Sequence, residues 1–132
     1  IDTNFEGKAK AAIDMYEKGN DLVYVHIEAP DEMGHQGSIE NKLHAIEQLD
    51  KCVVKVMKEA MDASGEDYRM LITPDHPTPI RCRTHTADPV PYILYDNRLD
   101  CNGKACYNEE QAAQTGNYVE HGYMLMNKLT EK

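Results

Sequence analysis

The chain has 132 residues, 14 Lys and Arg against 23 Asp and Glu, and a formal charge of −9; 41% is hydrophobic and 28% charged. That balance suits a single globular domain and excludes a disordered chain, while the acidic excess excludes a sequence-independent nucleic-acid binder, which needs a basic face for phosphate. The longest apolar run, Leu22 to Val25, falls far short of the roughly 20 residues of a membrane span, so neither membrane nor nucleic acid is an expected partner. No basic stretch leading into an apolar run opens the sequence, so a retained secretory signal is not expected.

In chain order, Thr3-Asn4-Phe5-Glu6 has the form of a capping box with Thr3 as N-cap, and Ala9, Ala12, Ile13 and Tyr16 recur at helical spacing up to a stop at Gly19. Asp21 to Glu28 is rich in β-branched and aromatic residues and apolar on both faces, which predicts a buried parallel strand. A polar loop is expected over Ala29 to Gly37. Ser38 then caps a long helix with the apolar stripe Ile39, Leu43, Ile46, Leu49, Val53, Val56, Met57 and Ala60, ending near Ser64-Gly65. Tyr68 to Thr73 reads as a second strand. Pro74 to Pro91 holds five of the six prolines and predicts a long, functional loop. Tyr92 to Tyr95 reads as a third strand, and the tail from Asn108 as two short helices broken at Gly116-Asn117, the second using Val119, Tyr123 and Met126.

This order of elements predicts an α/β domain with covering helices. Three strands make a thin sheet, and the first residue is Ile1, not Met. Both features lead to the expectation that the chain is part of a larger domain, with an exposed sheet edge and an uncovered apolar face. That edge allows self-association; the oligomeric state stays open. Cys52, Cys82, Cys101 and Cys106 form no C-x-x-C pair, and their low density reads as reduced thiols of a cytoplasmic protein.

The chemistry concentrates just after strand ends. Asp31-x-x-x-His35 follows the first expected strand, Asp75-His76 the second, and His85 lies in the same proline-rich loop. In α/β sheets ligands bind beyond the carboxyl ends of the strands. Five oxygen and nitrogen donors gathered there suit Mn²⁺ or Zn²⁺, and two such ions clamp the attacking and leaving oxygens of a phosphoryl displacement. Pro74, Pro77, Pro79, Pro89 and Pro91 stiffen the loop that carries three of the donors. Each piece alone is a common pattern; their joint placement makes the argument. His26, His44 and His121 read as packed, helical and solvated histidines. Arg81 and Arg83 suit an anionic substrate or are plain loop charges, and Lys42 reaches a phosphate or is a helix-surface charge. Ser38, Thr78, Thr84 and Thr86 lie near the expected site, none in the setting of a nucleophile.

The ordered set His26-Ile-Glu-Ala-Pro-Asp31-Glu-Met-Gly-His35-Gln-Gly37, Lys42, Ala45-Ile-Glu-x-x-Asp50, Thr73-Pro-Asp75-His76-Pro-Thr-Pro79 and Thr84-His85-Thr86-x-x-Pro89-Val-Pro91 resembles the cofactor-independent (2,3-bisphosphoglycerate-independent) phosphoglycerate mutases, archaeal-type branch, of the alkaline phosphatase superfamily. The resemblance implies an alkaline-phosphatase-like three-layer sandwich. Residues 1–132 would be its C-terminal portion, a partial, mostly parallel sheet with covering helices. It implies Asp31, His35 and His85 as ligands of one divalent ion and Asp75 and His76 as ligands of a second, Mn²⁺ or Zn²⁺, with no 2,3-bisphosphoglycerate cofactor. Arg81, Arg83 and Lys42 are secondary candidates for contact with the phosphoglycerate substrate. The nucleophilic serine, another aspartate ligand and an inserted domain would lie upstream. The implied activity is the glycolytic interconversion of 3- and 2-phosphoglycerate through a phosphoserine, in the cytoplasm, with the isolated chain inactive. Another phosphatase or phosphotransferase of the same superfamily is the alternative, and a module with purely structural metals is a further one.

Overall fold

A computed structural model of the chain describes residues 2–101 and 103–131. They form two units, one taking residues up to Glu66 together with Thr78–Thr86, the other Asp67–Pro77 together with the chain from Ala87 onward.

The first unit is helical. Helix α1 spans Phe5–Glu17, and its N-cap is Asn4, whose Oδ1 accepts from the Gly7 amide at 2.9 Å. The expected Thr3 cap is thus displaced by one residue: Asn4 already satisfies the third helical amide, and Phe5 turns into the core as the first helical residue. Gly19, in the left-handed region at φ +86°, follows the helix end as expected.

Asp21–Glu28 is not a strand. The segment has no ladder partner among the described residues, and only one of its faces is covered. Val25 and Ile27 pack against the core, whereas Leu22 and Tyr24 face outward, Tyr24 at 80% exposure. Composition gives a segment the pleat and the alternation, but a strand also needs a neighbour to take its backbone groups.

The expected loop after it is instead helix α2, Ala29–Gln36. Pro30 sits in the first turn, where no amide partner is needed, and Asp31 and Glu32 complement the positive end of the helix. Gly37 closes it at φ +72°, with its amide bonded to Gly34 O at 3.0 Å and the Ser38 amide to Met33 O at 3.2 Å. Ser38 then caps helix α3, Ile39–Leu49, accepting from the Asn41 amide. The rod continues through a π-helical turn, Asp50–Val54, into α4, Lys55–Ser64, which stops at Gly65.

Phe5, Ala9, Ala29, Met33, Ala45 and Val53 form the core, with Val25, Ile27, Leu49, Cys52 and Met57 against it. Ala29 and Ala45 have no exposed surface and lie where α2 and α3 pack together, their small side chains letting the backbones approach. Full burial of a Phe or Met contributes about 1.5–3 kcal/mol, so Phe5 and Met33 are the main anchors. The expected apolar stripe is only half used: Ile39, Leu43 and Ile46 stand exposed, Ile39 at 66%.

The second unit holds the one sheet among the described residues, strands β1 (Arg69–Ile72) and β2 (Ile93–Asp96), antiparallel with Arg69 opposite Asp96 and Ile72 opposite Ile93. The helix-plus-sheet class is as the sequence predicts. The parallel pairing is not: Asp21–Glu28 has no ladder partner among the described residues, and the two later expected strands pair antiparallel. Asp96 accepts from Arg69 Nε at 2.8 Å and from Arg98 Nη2 at 2.6 Å; the Arg98 bonds, then Arg69's, hold its carboxyl well below the usual carboxylate range. Arg69 Nη1 reaches the carbonyls of Lys128, Leu129 and Glu131 at the end of α6 (Leu125–Thr130), tying the hairpin to the tail. Helix α5 (Glu109–Ala113) starts at the Asn108 cap, and a 3₁₀ turn at Gly122–Met124 precedes α6. Val119 lies before that last helical stretch and Tyr123 in its 3₁₀ turn, so buried Leu125 anchors the tail in their place. Tyr107 donates to Pro91 O at 2.9 Å, and burial, with Glu109 adding, pushes its phenol up to about 12. All four cysteines are free thiols.

Candidate metal centre

The site in the first unit starts from one helical register. Asp31 and His35 are four residues apart on α2 and so share a face, with His35 Nε2 3.4 Å from Asp31 Oδ2. The Thr78–Thr86 stretch brings His85 to them: His85 Nε2 lies 3.3 Å from Asp31 Oδ1 and 3.2 Å from His35 Nε2. Three donors of the sequence-derived set therefore meet on one half-exposed face.

The two imidazoles face different oxygens of the Asp31 carboxyl, and each separation is one that two ligands of a shared cation can take. Ligand atoms about 2.1 Å from a metal and at tetrahedral angles lie about 3.4 Å from one another, and slightly closer at octahedral angles. The orientation agrees with the spacing. His35 Nδ1 lies 2.9 Å from the Arg83 carbonyl, which can only accept, so Nδ1 carries the proton and Nε2 of the neutral ring offers a lone pair toward the cluster. Two imidazole nitrogens and a carboxylate suit Zn²⁺ and Mn²⁺ alike.

The loop is held against α2 by close backbone approaches. A turn from Pro79, with Arg83 N–H donating to Pro79 O at 2.9 Å, leaves Arg83 at φ +51°, unusual for a residue with a side chain, and aims its carbonyl at His35. Its guanidinium lies across Gly37, where any Cβ would collide with it. One turn earlier on α2, a Cβ at Gly34 would lie 2.5 Å from the Thr78 carbonyl, so that position must be bare for the loop to seat. Thr78 Oγ1 donates to Asp31 Oδ1, and Lys42 Nζ donates to Thr78 O at 2.6 Å.

The other candidates have contacts of their own. Asp75 and His76 belong to the second unit and engage each other, His76 Nε2 3.3 Å from Asp75 Oδ2 and the His76 amide donating to Asp75 Oδ1 at 3.1 Å. Arg81 is exposed, Arg83 contributes its carbonyl and covers Gly37, and Lys42 is engaged with Thr78. Sequence reasoning set Thr78 near the site without a role, and no local signal shows that its hydroxyl meets a carboxylate 47 positions away.

Residues 1–127 match the family described as the metalloenzyme superfamily. A protein of Geobacter sulfurreducens named probable 2,3-bisphosphoglycerate-independent phosphoglycerate mutase is 48% identical over all of this chain and 33% of its own length. A Methanosarcina mazei protein named 2,3-bisphosphoglycerate-independent phosphoglycerate mutase is 53% identical over 99% of this chain and 31% of its own. Among solved structures, the PH0037 protein of Pyrococcus horikoshii superposes with a TM-score of 0.71 at 27% identity, over 85% of this chain and 33% of that one. The chain thus spans about a third of the length of the curated relatives it matches.

Proposed function

Because the chain belongs to the metalloenzyme superfamily, we propose that it is the metal-holding, C-terminal portion of a 2,3-bisphosphoglycerate-independent phosphoglycerate mutase. The observation that carries this reading is the triad of donors 3.2–3.4 Å apart, with His35 fixed in the tautomer a ligand needs. Asp31, His35 and His85 hold one divalent ion, Mn²⁺ or Zn²⁺, and Asp75 and His76 are ligands of a second. Ions bound there supply charge neutralisation for phosphoryl oxygens and ease the ionisation of an attacking hydroxyl. Asp31 contributes the negative charge that sets the centre's net charge, and the two imidazoles fix its position relative to α2. Exposed Arg81 adds positive charge that an anionic substrate meets in a chain of net charge −9.

The substrate is a phosphoglycerate, and the nucleophilic serine and another aspartate ligand belong to the rest of the protein, so the 132-residue chain alone is inactive. Four free thiols fit a reducing compartment, and the same reading places the parent enzyme in the cytoplasm. Turnover of 3-phosphoglycerate to 2-phosphoglycerate with added Mn²⁺ tests the proposal. The full-length protein is expected to be active without 2,3-bisphosphoglycerate, and its Asp31→Asn variant and the chain alone to stay at background. Hydrolysis of an aryl phosphate by the full-length protein, with no mutase turnover, would replace it with a phosphatase of the same superfamily.

A further inference from the structure

Thr78 is the one polar side chain buried among the described residues, at 4% exposure, and it occupies the gap left by the bare Gly34. Its hydroxyl donates to Asp31 Oδ1, while its carbonyl is clamped by Lys42 Nζ at 2.6 Å. A hydroxyl donor to an ionised carboxylate is a strong, directional contact, and it fixes the rotation of the carboxyl about its Cβ–Cγ bond. The same bond sets the direction of Oδ2, which faces His35 Nε2 at 3.4 Å. Without it the Asp31 carboxyl turns between its two neighbours, since α2 fixes only its Cα and Cβ.

We infer that Thr78 is a positioning residue for Asp31 and that Lys42 acts through Thr78, not as a substrate contact; the inference rests on the metal reading above. The arrangement is a relay across three elements, from α3 through the loop to α2, that presents the carboxylate before any ion arrives. Groups that orient ligands in this way change metal affinity by about 10–100-fold when removed.

The test is calorimetric titration of the metal-free chain with Mn²⁺, following the binding transition that Asp31→Asn abolishes, alongside the melting temperature of each metal-free variant. Thr78→Val keeps the volume and loses the donor, and it is expected to weaken that transition by about 10–100-fold with little change in metal-free melting. Thr78→Ser, which keeps the donor and loses a methyl, is expected to restore affinity to within about threefold of the original. Lys42→Met is expected to weaken binding by a smaller factor than Thr78→Val. If the unaltered chain binds Mn²⁺ and Thr78→Val binds it equally well, or if Thr78→Ser is as weak as Thr78→Val, the positioning role is refuted while the metal reading stands. If the unaltered chain shows no Asp31-dependent transition, the metal reading fails and this inference with it.

Discussion

Asp31 and His35 lie on a helix, whereas Asp75 and His76 are chain neighbours in an irregular, proline-flanked stretch. In the first pair the backbone ladder of α2 fixes both donors in advance, and a third donor docks onto them. In the second pair the two side chains lean on each other, the carboxylate taking both the ring and the amide of the histidine. A helix supplies rigidity from its hydrogen bonds, while Pro74, Pro77 and Pro79 supply it only by narrowing φ. The helical half should therefore bind an ion without help, and the loop half should depend on further groups.

The sharpest way to break this contrast is to remove one carboxylate from each half. In Mn²⁺ titrations of the chain, Asp31→Asn is expected to weaken the tightest transition by more than about 100-fold, above the range for groups that only support a ligand, and Asp75→Asn to leave it within about threefold. Equal losses would end the distinction. A smaller effect separates backbone strain from site geometry. Gly37 and Gly65 both have φ near +72°, but only Gly37 has Arg83 against it. Alanine at either is expected to cost about 1–3 kcal/mol in thermal unfolding, and only Gly37→Ala to weaken Mn²⁺ binding as well. The smallest expected effect lies in the second unit. The Asp96 carboxyl is depressed in the folded state by Arg98 and Arg69, so its contribution to stability is present above the unfolded value of about 4 and is lost as pH falls through the folded value. Asp96→Asn is expected to lower the melting temperature at pH 7 and to flatten its decline between pH 4 and lower values.

Much of this was legible in the residues themselves. The Ser38 cap and Gly65 stop bound one long rod, Arg69–Ile72 falls inside one expected strand, Ile93–Asp96 overlaps the expected Tyr92–Tyr95 and runs one residue past it, and Asp31-x-x-x-His35 carries its geometry in its spacing. Helix α2 was not, because eight residues containing Pro30 and Gly34 look like a turn until Pro30 is read as a first-turn residue and Gly37 as the left-handed stop. Asp21–Glu28 reads as a strand because pairing depends on a neighbour that local composition does not specify. Thr78 was hidden for a related reason: a hydroxyl's partner is chosen by tertiary approach, and here that approach depends on a missing Cβ at Gly34.

The π turn at Asp50–Val54 has a consequence for how the long rod can vary. Such a turn holds one residue more than an α turn, which rotates everything beyond it by roughly 100°. Ile46 and Val53, seven apart and so expected in phase, thus part company, the first facing outward and the second buried. Upstream of the turn the rod meets α2 and so borders the donor triad; the turn itself and the rod downstream meet α1. The extra residue lets one continuous rod present one face to α2 and a different face to α1, so a substitution on either side of the turn is felt by a different neighbour.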